Sequence, residues 1–298
     1  YDLNLGIVAV MLSSLLRKTK CPVTLFLFDI GERLCSRLLG ILEGNQLVTS
    51  LYLIPIMDST AIQPGGAREL SFWLSRSCVL RSLRLPYMNI RDEGCISLAR
   101  ALCSNTSLKD LDLTANKIHG EGIKTLMKTL QKANDTLSRL ALTSNPFGEE
   151  GLKAIVEYLS IQRNRSTEGG GLDELHLSHC HIGNDGMKWI ADSLGVNKKL
   201  RVLGLEGSTG IDDVGLAYTA DALCDNYTLQ FMEMSNPDVP GCMTPTTHTI
   251  MVRVRHNHVL EMLSAPNADA LIPFLVPSLG IEGIYLLLRS RPDLGSVS

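Results

Sequence analysis

The 298-residue sequence is poor in the features that mark a catalyst or a disulfide-stapled secreted domain. No CxxC pair occurs, which argues against zinc-ribbon sites and thioredoxin-like redox chemistry. There is no HExxH and no GxSxG, and the run Gly169-Gly170-Gly171 lacks the Lys-Ser/Thr of a phosphate loop. Catalysis, a bound cofactor and a metal centre are therefore not expected. Aromatic residues make up 5% of the chain, and 28 basic residues stand against 31 acidic ones, a net charge of −3. So even a balance gives no general pull toward nucleic acid or an anionic membrane. The eight cysteines do not imply a disulfide framework, because a chain this long buries a core without staples. Several stand at positions that read as interior, where a thiol acts as a small apolar side chain. A cytoplasmic or other reducing compartment is expected. The apolar stretch 3–16 has no basic segment before it and Lys18 and Lys20 after it, the wrong order for a signal peptide. It reads as the helix of a repeat whose strand lies upstream, so a chain opening on Tyr1 reads as a fragment or a processed form.

What the sequence has in abundance is leucine at fixed spacing. The pattern LxxLxL occurs at Leu80-Leu83-Leu85, Leu108-Leu111-Leu113, Leu137-Leu140-Leu142, Leu172-Leu175-Leu177 and Leu200-Leu203-Leu205. An altered copy, Leu229-Met232-Met234, comes next, and looser copies around Leu25-Leu27 and Val48-Leu51-Leu53 precede. Central positions are separated by 26, 32, 28, 29, 35, 28 and 29 residues, and the polar, glycine-rich stretch 162–171 accounts for the longest step. Each core copy continues alike, with an apolar residue (Ile90, Ile118, Phe147, Ile182, and Ile211 displaced by one) and then glycine four later (Gly94, Gly122, Gly151, Gly186, Gly215). Apolar positions stand four and eight beyond the glycine, as in Leu98/Leu102 and Ile190/Leu194. Period two followed by spacing of four predicts strand, turn, helix. Such a unit cannot bury its leucines alone, whereas stacked units share one continuous core.

This grammar resembles the ribonuclease-inhibitor class of leucine-rich repeats, which also occurs in Nod-like receptors and in the Ran GTPase-activating protein. The resemblance is specific over residues 80–234 and degenerate on both sides. It implies an α/β solenoid, a horseshoe with a concave parallel sheet, convex helices and a helical C-terminal cap. Asn116, Asn145 and Cys180 stand where that class places an inward group that bonds loop backbone. About eight units are expected over residues 1–264. Within them, 236–241 reads as a turn and 245–264 as a helix, with Ile250, Val254, Val259 and Leu263 near one face. Residues 265–298 read as an apolar cap or docking segment. The stretch 270–288 is long and apolar, but Pro273, Pro277 and Glu282 argue against a membrane helix.

Other clusters have structural explanations. His176, His179, Cys180 and His181 invite a metal reading, yet the pattern sends His176 outward, Cys180 inward and the other two into a turn. Carboxylates at the helix starts (Asp92, Glu93, Glu121, Glu149, Glu150, Asp185, Asp212, Asp213) suit the helix dipole and free amides. The sequons at Asn105, Asn134, Asn164 and Asn226 fall where a repeat's helix ends, so the repeat itself generates them.

Alternate strand residues must project from the concave face. They include Phe26, Phe28, Tyr52 and Ile54 on the first two strands. The middle strands present Arg84, Asp110, Asp112 and Arg139, and the later ones Glu174, His176, Glu206, Phe231 and Glu233. Exposed aromatics are typical interface anchors. The expectation is a protein partner with an apolar element for Phe26, Phe28 and Tyr52 and a basic segment for the carboxylates, bound by a scaffold or assembly subunit. The resemblance also admits a regulator of a small GTPase, or the ligand-sensing array of a Nod-like receptor.

Overall fold

The computed structural model describes residues 12, 14, 16, 18–162, 170–208, 210–234 and 244–264, with backbone alone at 256 and 259–264. Most of the stretch 3–16, most of the glycine-rich loop, the 236–241 turn and the segment 265–298 lie outside the described residues. Among the described residues, eight strands form one parallel sheet in sequence order, namely β1 (Val23–Phe28), β2 (Val48–Ile54), β3 (Ser82–Arg84), β4 (Asp110–Asp112), β5 (Arg139–Ala141), β6 (Glu174–His176), β7 (Val202–Gly204) and β8 (Phe231–Glu233). Helices alternate with them: α1 (Glu32–Leu42), α2 (Gln63–Arg76), α3 (Arg91–Leu102), α4 (Gly120–Lys132), α5 (Gly148–Ile161), α6 (Gly183–Val196), α7 (Asp213–Ala222) and α8 (Pro245–Ser264). Successive helices pack on one another and successive strands pair. Paired strands lie about 4.8 Å apart and packed helices about 8–10 Å apart. The helical layer must therefore be the longer arc, and the sheet the inner, concave face of an open solenoid.

The leucine pattern fills the space between the layers. Leu51, Leu83, Leu111, Leu140, Leu175 and Leu203 pair in register across the sheet and are fully buried, and Met232 continues the row. The flanking ladders Leu80–Leu108–Leu137–Leu172–Leu200–Leu229 and Leu85–Leu113–Leu142–Leu177–Leu205 are buried with them. Each such side chain contributes about 1.5–3 kcal/mol by leaving water. Adjacent helices come close enough at repeat glycines such as Gly94 and Gly186 that a side chain does not fit. A Cβ on Gly186 would lie 2.6 Å from Ile182 Cγ2 and 2.7 Å from Leu152 Cδ2.

Two asparagine ladders hold the backbone where strand and helix meet. Asn116 and Asn145 lie inward in the turn after the strand, as the resemblance implied. Asn145 Nδ2 donates to the carbonyls of Leu113 and Leu142, and its Oδ1 accepts from the amides of Asn116 and Ile118. Cys180 Sγ lies 3.4 Å from the Leu142 carbonyl, its donor in the same place. The second ladder runs along the helix ends. Asn105 Nδ2 donates to the carbonyls of Leu74 and Ser77, and Oδ1 accepts from the amides of Ser107 and Leu108. Asn134, Asn197 and Asn226 repeat the arrangement in later units. Gln162 supplies the missing rung, donating to the Leu172 carbonyl and accepting from Asn197. The buried Asn105, Asn134 and Asn226 thus have amides committed to carbonyls, which bars glycan attachment in the folded chain. Asn164 lies outside the described residues.

The helix-start carboxylates act less locally than their positions suggest. Among the described residues, only Asp212 of these accepts from an amide of its own first turn, Val214 N at 2.8 Å. Asp92 instead reaches the next unit, where Oδ1 accepts from His119 N and Gly122 N. No described helix is long and apolar enough to cross a membrane.

Candidate interaction face

Strand register arranges the outward side chains into two parallel rows. One runs Thr24, Ser50, Ser82, Asp110, Arg139, Glu174, Val202, Phe231; the other runs Phe26, Tyr52, Arg84, Asp112, Ala141, His176, Gly204, Glu233. Phe28 and Ile54 pair just beyond, because β1 and β2 are longer than the three-residue strands after them.

The first two strands form an aromatic platform. Phe26 and Phe28 are 57% and 56% exposed, far more than soluble sheets ordinarily leave open. Phe26 stacks on Tyr52 with ring centroids 4.5 Å apart, and the Arg84 guanidinium lies 5.0 Å from the Tyr52 ring centre. Stacking and cation–π contact hold the rings in place before anything binds. Ile56 and Met57, just past β2, and Tyr87, just past β3, are also exposed. Strand alternation alone does not reach these three. The run Ile54-Pro55-Ile56-Met57, apolar beyond the strand's end, is the signal in the sequence that points to Ile56 and Met57.

The middle strands carry a network of ion pairs. Asp110 accepts from Ser82 Oγ at 2.8 Å and pairs with Arg84 at 3.0 Å and Arg139 at 2.9 Å. Arg139 reaches on to Glu174 at 3.1 Å. Burial alone would raise the Asp110 pKa, but the hydrogen bonds from Ser82 and Arg139 and the charges of both arginines outweigh it and hold the carboxyl below its ordinary range. Arg139 shifts the other way, since Asp110 and Glu174 outweigh its partial burial. Two guanidinium groups thus balance two carboxylates. Three candidate carboxylates remain with no ion pair among the described residues: Asp112, whose Oδ1 accepts from Thr114 N, the exposed Glu206, and Glu233. The negative surplus of the face resides in them. Asp110 and Glu174, also expected to meet a basic segment, are already engaged by arginine.

His176 sits over Gly204, where any Cβ would come within 2.8 Å of its Nδ1. Burial first, then the nearby Arg139 charge, lowers its pKa, so the ring is neutral at neutral pH. Its Nε2 lies 3.9 Å from Glu174 and is sheltered without a hydrogen-bond partner among the described residues. His179 and His181 occupy left-handed turn positions, φ 57° and 54°, while Cys180 is buried, so the four do not converge. Left-handed geometry is a setting in which histidine is enriched. At the far end of the described sheet, Phe231 is exposed and projects from β8.

On the convex side, a groove of about 650 Å³ separates α1 from α2, with Leu39, Leu42, Phe72 and Trp73 in its lining. Phe72 is exposed, and Arg76 lies 5.2 Å from its ring centre.

Three stretches of the chain, residues 104–127, 133–156 and 172–191, match the family described as Leucine Rich repeat. The human NACHT, LRR and PYD domains-containing protein 13 is 27% identical over 291 residues, covering 96% of this chain and 23% of that protein. The mouse ribonuclease inhibitor is 29% identical over 166 residues, covering 55% of this chain and 35% of the inhibitor. The chain therefore spans little more than a third of the inhibitor and less than a quarter of the NACHT protein. Among solved structures, the tropomodulin C-terminal domain of Caenorhabditis elegans aligns with a TM-score of 0.48 at 14% identity, over 58% of this chain and 96% of that one.

Proposed function

Given that the chain carries leucine-rich repeats of the ribonuclease-inhibitor-like class, with relatives among the NACHT, LRR and PYD proteins, we propose that it is a non-enzymatic scaffold or assembly subunit that holds a protein partner on its concave face. The observation that carries this reading is the exposed, pre-stacked Phe26–Tyr52–Arg84 platform lying in register with the acidic Asp112 and Glu233. Rigid aromatic anchors are the commonest source of binding energy at interfaces. A partner that fits this face offers an apolar element to Phe26, Phe28, Tyr52 and Ile54. Its basic segment meets Asp112, Glu206 and Glu233, which steer association more than they tighten it. The described cysteines are all free thiols, which supports a cytoplasmic or other reducing setting.

A second reading has its own support. The 27% identity to a NACHT, LRR and PYD protein over nearly all of this chain favours the ligand-sensing array of a Nod-like receptor. Native co-purification with crosslink mapping separates the two. A stoichiometric partner crosslinked beside β1–β4 is the scaffold outcome. A partner recovered only after a ligand is added is the sensor outcome. Crosslinks confined to the convex helices would refute both placements.

A further inference from the structure

The last described helix overruns a stop that earlier helices obey. α3, α4, α6 and α7 end at Leu102, Lys132, Val196 and Ala222, just short of the ladder residues Asn105, Asn134, Asn197 and Asn226. α8 instead runs through Asn257 to Ser264, 20 residues against 10–14 for the others. Yet the rung itself is in place. Asn257 is buried, and its Nδ2 donates to the carbonyls of Asn226 at 2.9 Å and Leu229 at 2.7 Å. Ile250 and Val254, both buried, stand 31 residues after Thr219 and Leu223, as Asn257 does after Asn226. The unit is therefore in register up to its asparagine.

The residues just beyond Asn257 carry strand grammar. After the earlier rungs the sequence reads Leu108-Leu111-Leu113, Leu137-Leu140-Leu142, Leu200-Leu203-Leu205 and Leu229-Met232-Met234; after Asn257 it reads Leu260-Leu263-Ala265. Beside it, among the described residues, the sheet ends. Phe231 N donates back to the Arg201 carbonyl of the preceding unit, so the alternate amides of Met232 and Met234 face the open side. A hollow of about 410 Å³, lined in part by Phe231, Met232, Met251 and Val254, adjoins that edge. Unpaired strand edges are templates for another strand.

We infer that the open edge of β8 is the docking surface of a ninth strand, supplied by Met262–Ser264 of this same chain, which leaves the end of α8 to pair there. Extending the register places Met262 against Phe231, Leu263 against Met232 and Ser264 against Glu233. Leu85 N donates to Asp112 O, Leu113 N to Ala141 O, Leu142 N to His176 O, Leu177 N to Gly204 O and Leu205 N to Glu233 O. The same pattern gives Met234 N to Ser264 O. Leu260 and Leu263 then continue two leucine ladders over the hollow.

The test is residue-resolved amide hydrogen exchange on the full chain, with the Phe231 amide as the internal standard for an intact β8. A ninth strand protects Met232 and Met234 on the order of 100-fold over their unstructured rates, independently of protein concentration. Leu263→Asp then removes about tenfold or more of that protection while Phe231 stays protected. Four results overturn the inference. These are free exchange at Met232 and Met234 beside a protected Phe231, free exchange at Phe231 itself, protection unchanged in Leu263→Asp, and protection that falls on dilution. The last would assign the edge to a second copy.

Discussion

Removing one rung of the asparagine ladder puts a number on the bonding that holds the units together. Asn105 makes four bonds to backbone, three of them buried and that to Ser77 part-buried: Nδ2 to the carbonyls of Leu74 and Ser77, both at 2.9 Å, and Oδ1 from the amides of Ser107 at 3.0 Å and Leu108 at 2.8 Å. Asn105→Ala deletes all four and leaves partner groups on the buried Leu74, Ser107 and Leu108. A buried hydrogen bond contributes about 1 kcal/mol net, and an orphaned buried partner costs about 1–3 kcal/mol. The Leu74 carbonyl keeps a bond from Ser77 N, so not every partner is orphaned. The expected loss is about 3–5 kcal/mol, read by urea denaturation with circular dichroism and the fluorescence of Trp73 and Trp189. Asn105→Asp is the sharper control. It keeps both acceptor bonds but turns a carboxylate oxygen toward two carbonyls, so at pH 7 it should be less stable than Asn105→Ala. That deficit should shrink as the pH is lowered, because a carboxyl forced into this site takes up its proton more readily folded than unfolded. A loss below about 1 kcal/mol for Asn105→Ala would refute the view that the ladder bears on stability.

Further perturbations test other parts of the account. Gly186→Ala forces a Cβ against Ile182 and Leu152 between α5 and α6 and should destabilise by about 1–3 kcal/mol, measured by the same denaturation. Arg139→Gln breaks the pairs to Asp110 and Glu174 and should cost about 1 kcal/mol at pH 7, given the partial exposure of these groups. Because Asp110 ionises more readily in the folded chain, its contribution is fully present above its unfolded pKa of about 4 and is lost as pH falls through the lower folded value. The difference between wild type and Arg139→Gln should therefore shrink below about pH 4, and one that grew there would contradict the pairing. Burial raises the thiols of Cys35 and Cys180 to about 12 and about 11 and raises Cys95 as well. These three should resist alkylation at pH 8 until the chain unfolds, while exposed Cys21, Cys78 and Cys103 react in the native state. Native labelling of Cys95 would contradict the packing of α3.

The fold was legible because leucine spacing reports burial directly. Each LxxLxL copy from Leu80 to Met234 became a strand, and the interval to the next copy held its helix. The loose copies at Leu25 and Leu51 became the longest strands, since β-branched and aromatic residues there extend the pairing beyond the leucines. The candidate face was legible as a set of residues and not as an arrangement. Alternation placed Arg84, Asp110, Arg139 and Glu174 outward, but which charges neutralise one another depends on cross-strand distances. Asp110 therefore read as free when it is held by two arginines and Ser82. The Gln162 rung was hidden for a related reason. Its residue type differs, and the insertion after it breaks the period that would have revealed it.

The central claim is that the aromatic end of the concave sheet holds a protein partner. Its most direct test measures the affinity of the co-purified partner for wild type, for Phe26→Ser/Phe28→Ser and for the convex-face variant Phe72→Ser. All three should fold alike, since these phenylalanines are exposed. Losing two interface anchors should weaken binding by about 2–4 kcal/mol, roughly 30-fold to 1000-fold, with Phe72→Ser unchanged. Undiminished affinity in Phe26→Ser/Phe28→Ser, or a loss confined to Phe72→Ser, would contradict the account and move the interface to the convex helices.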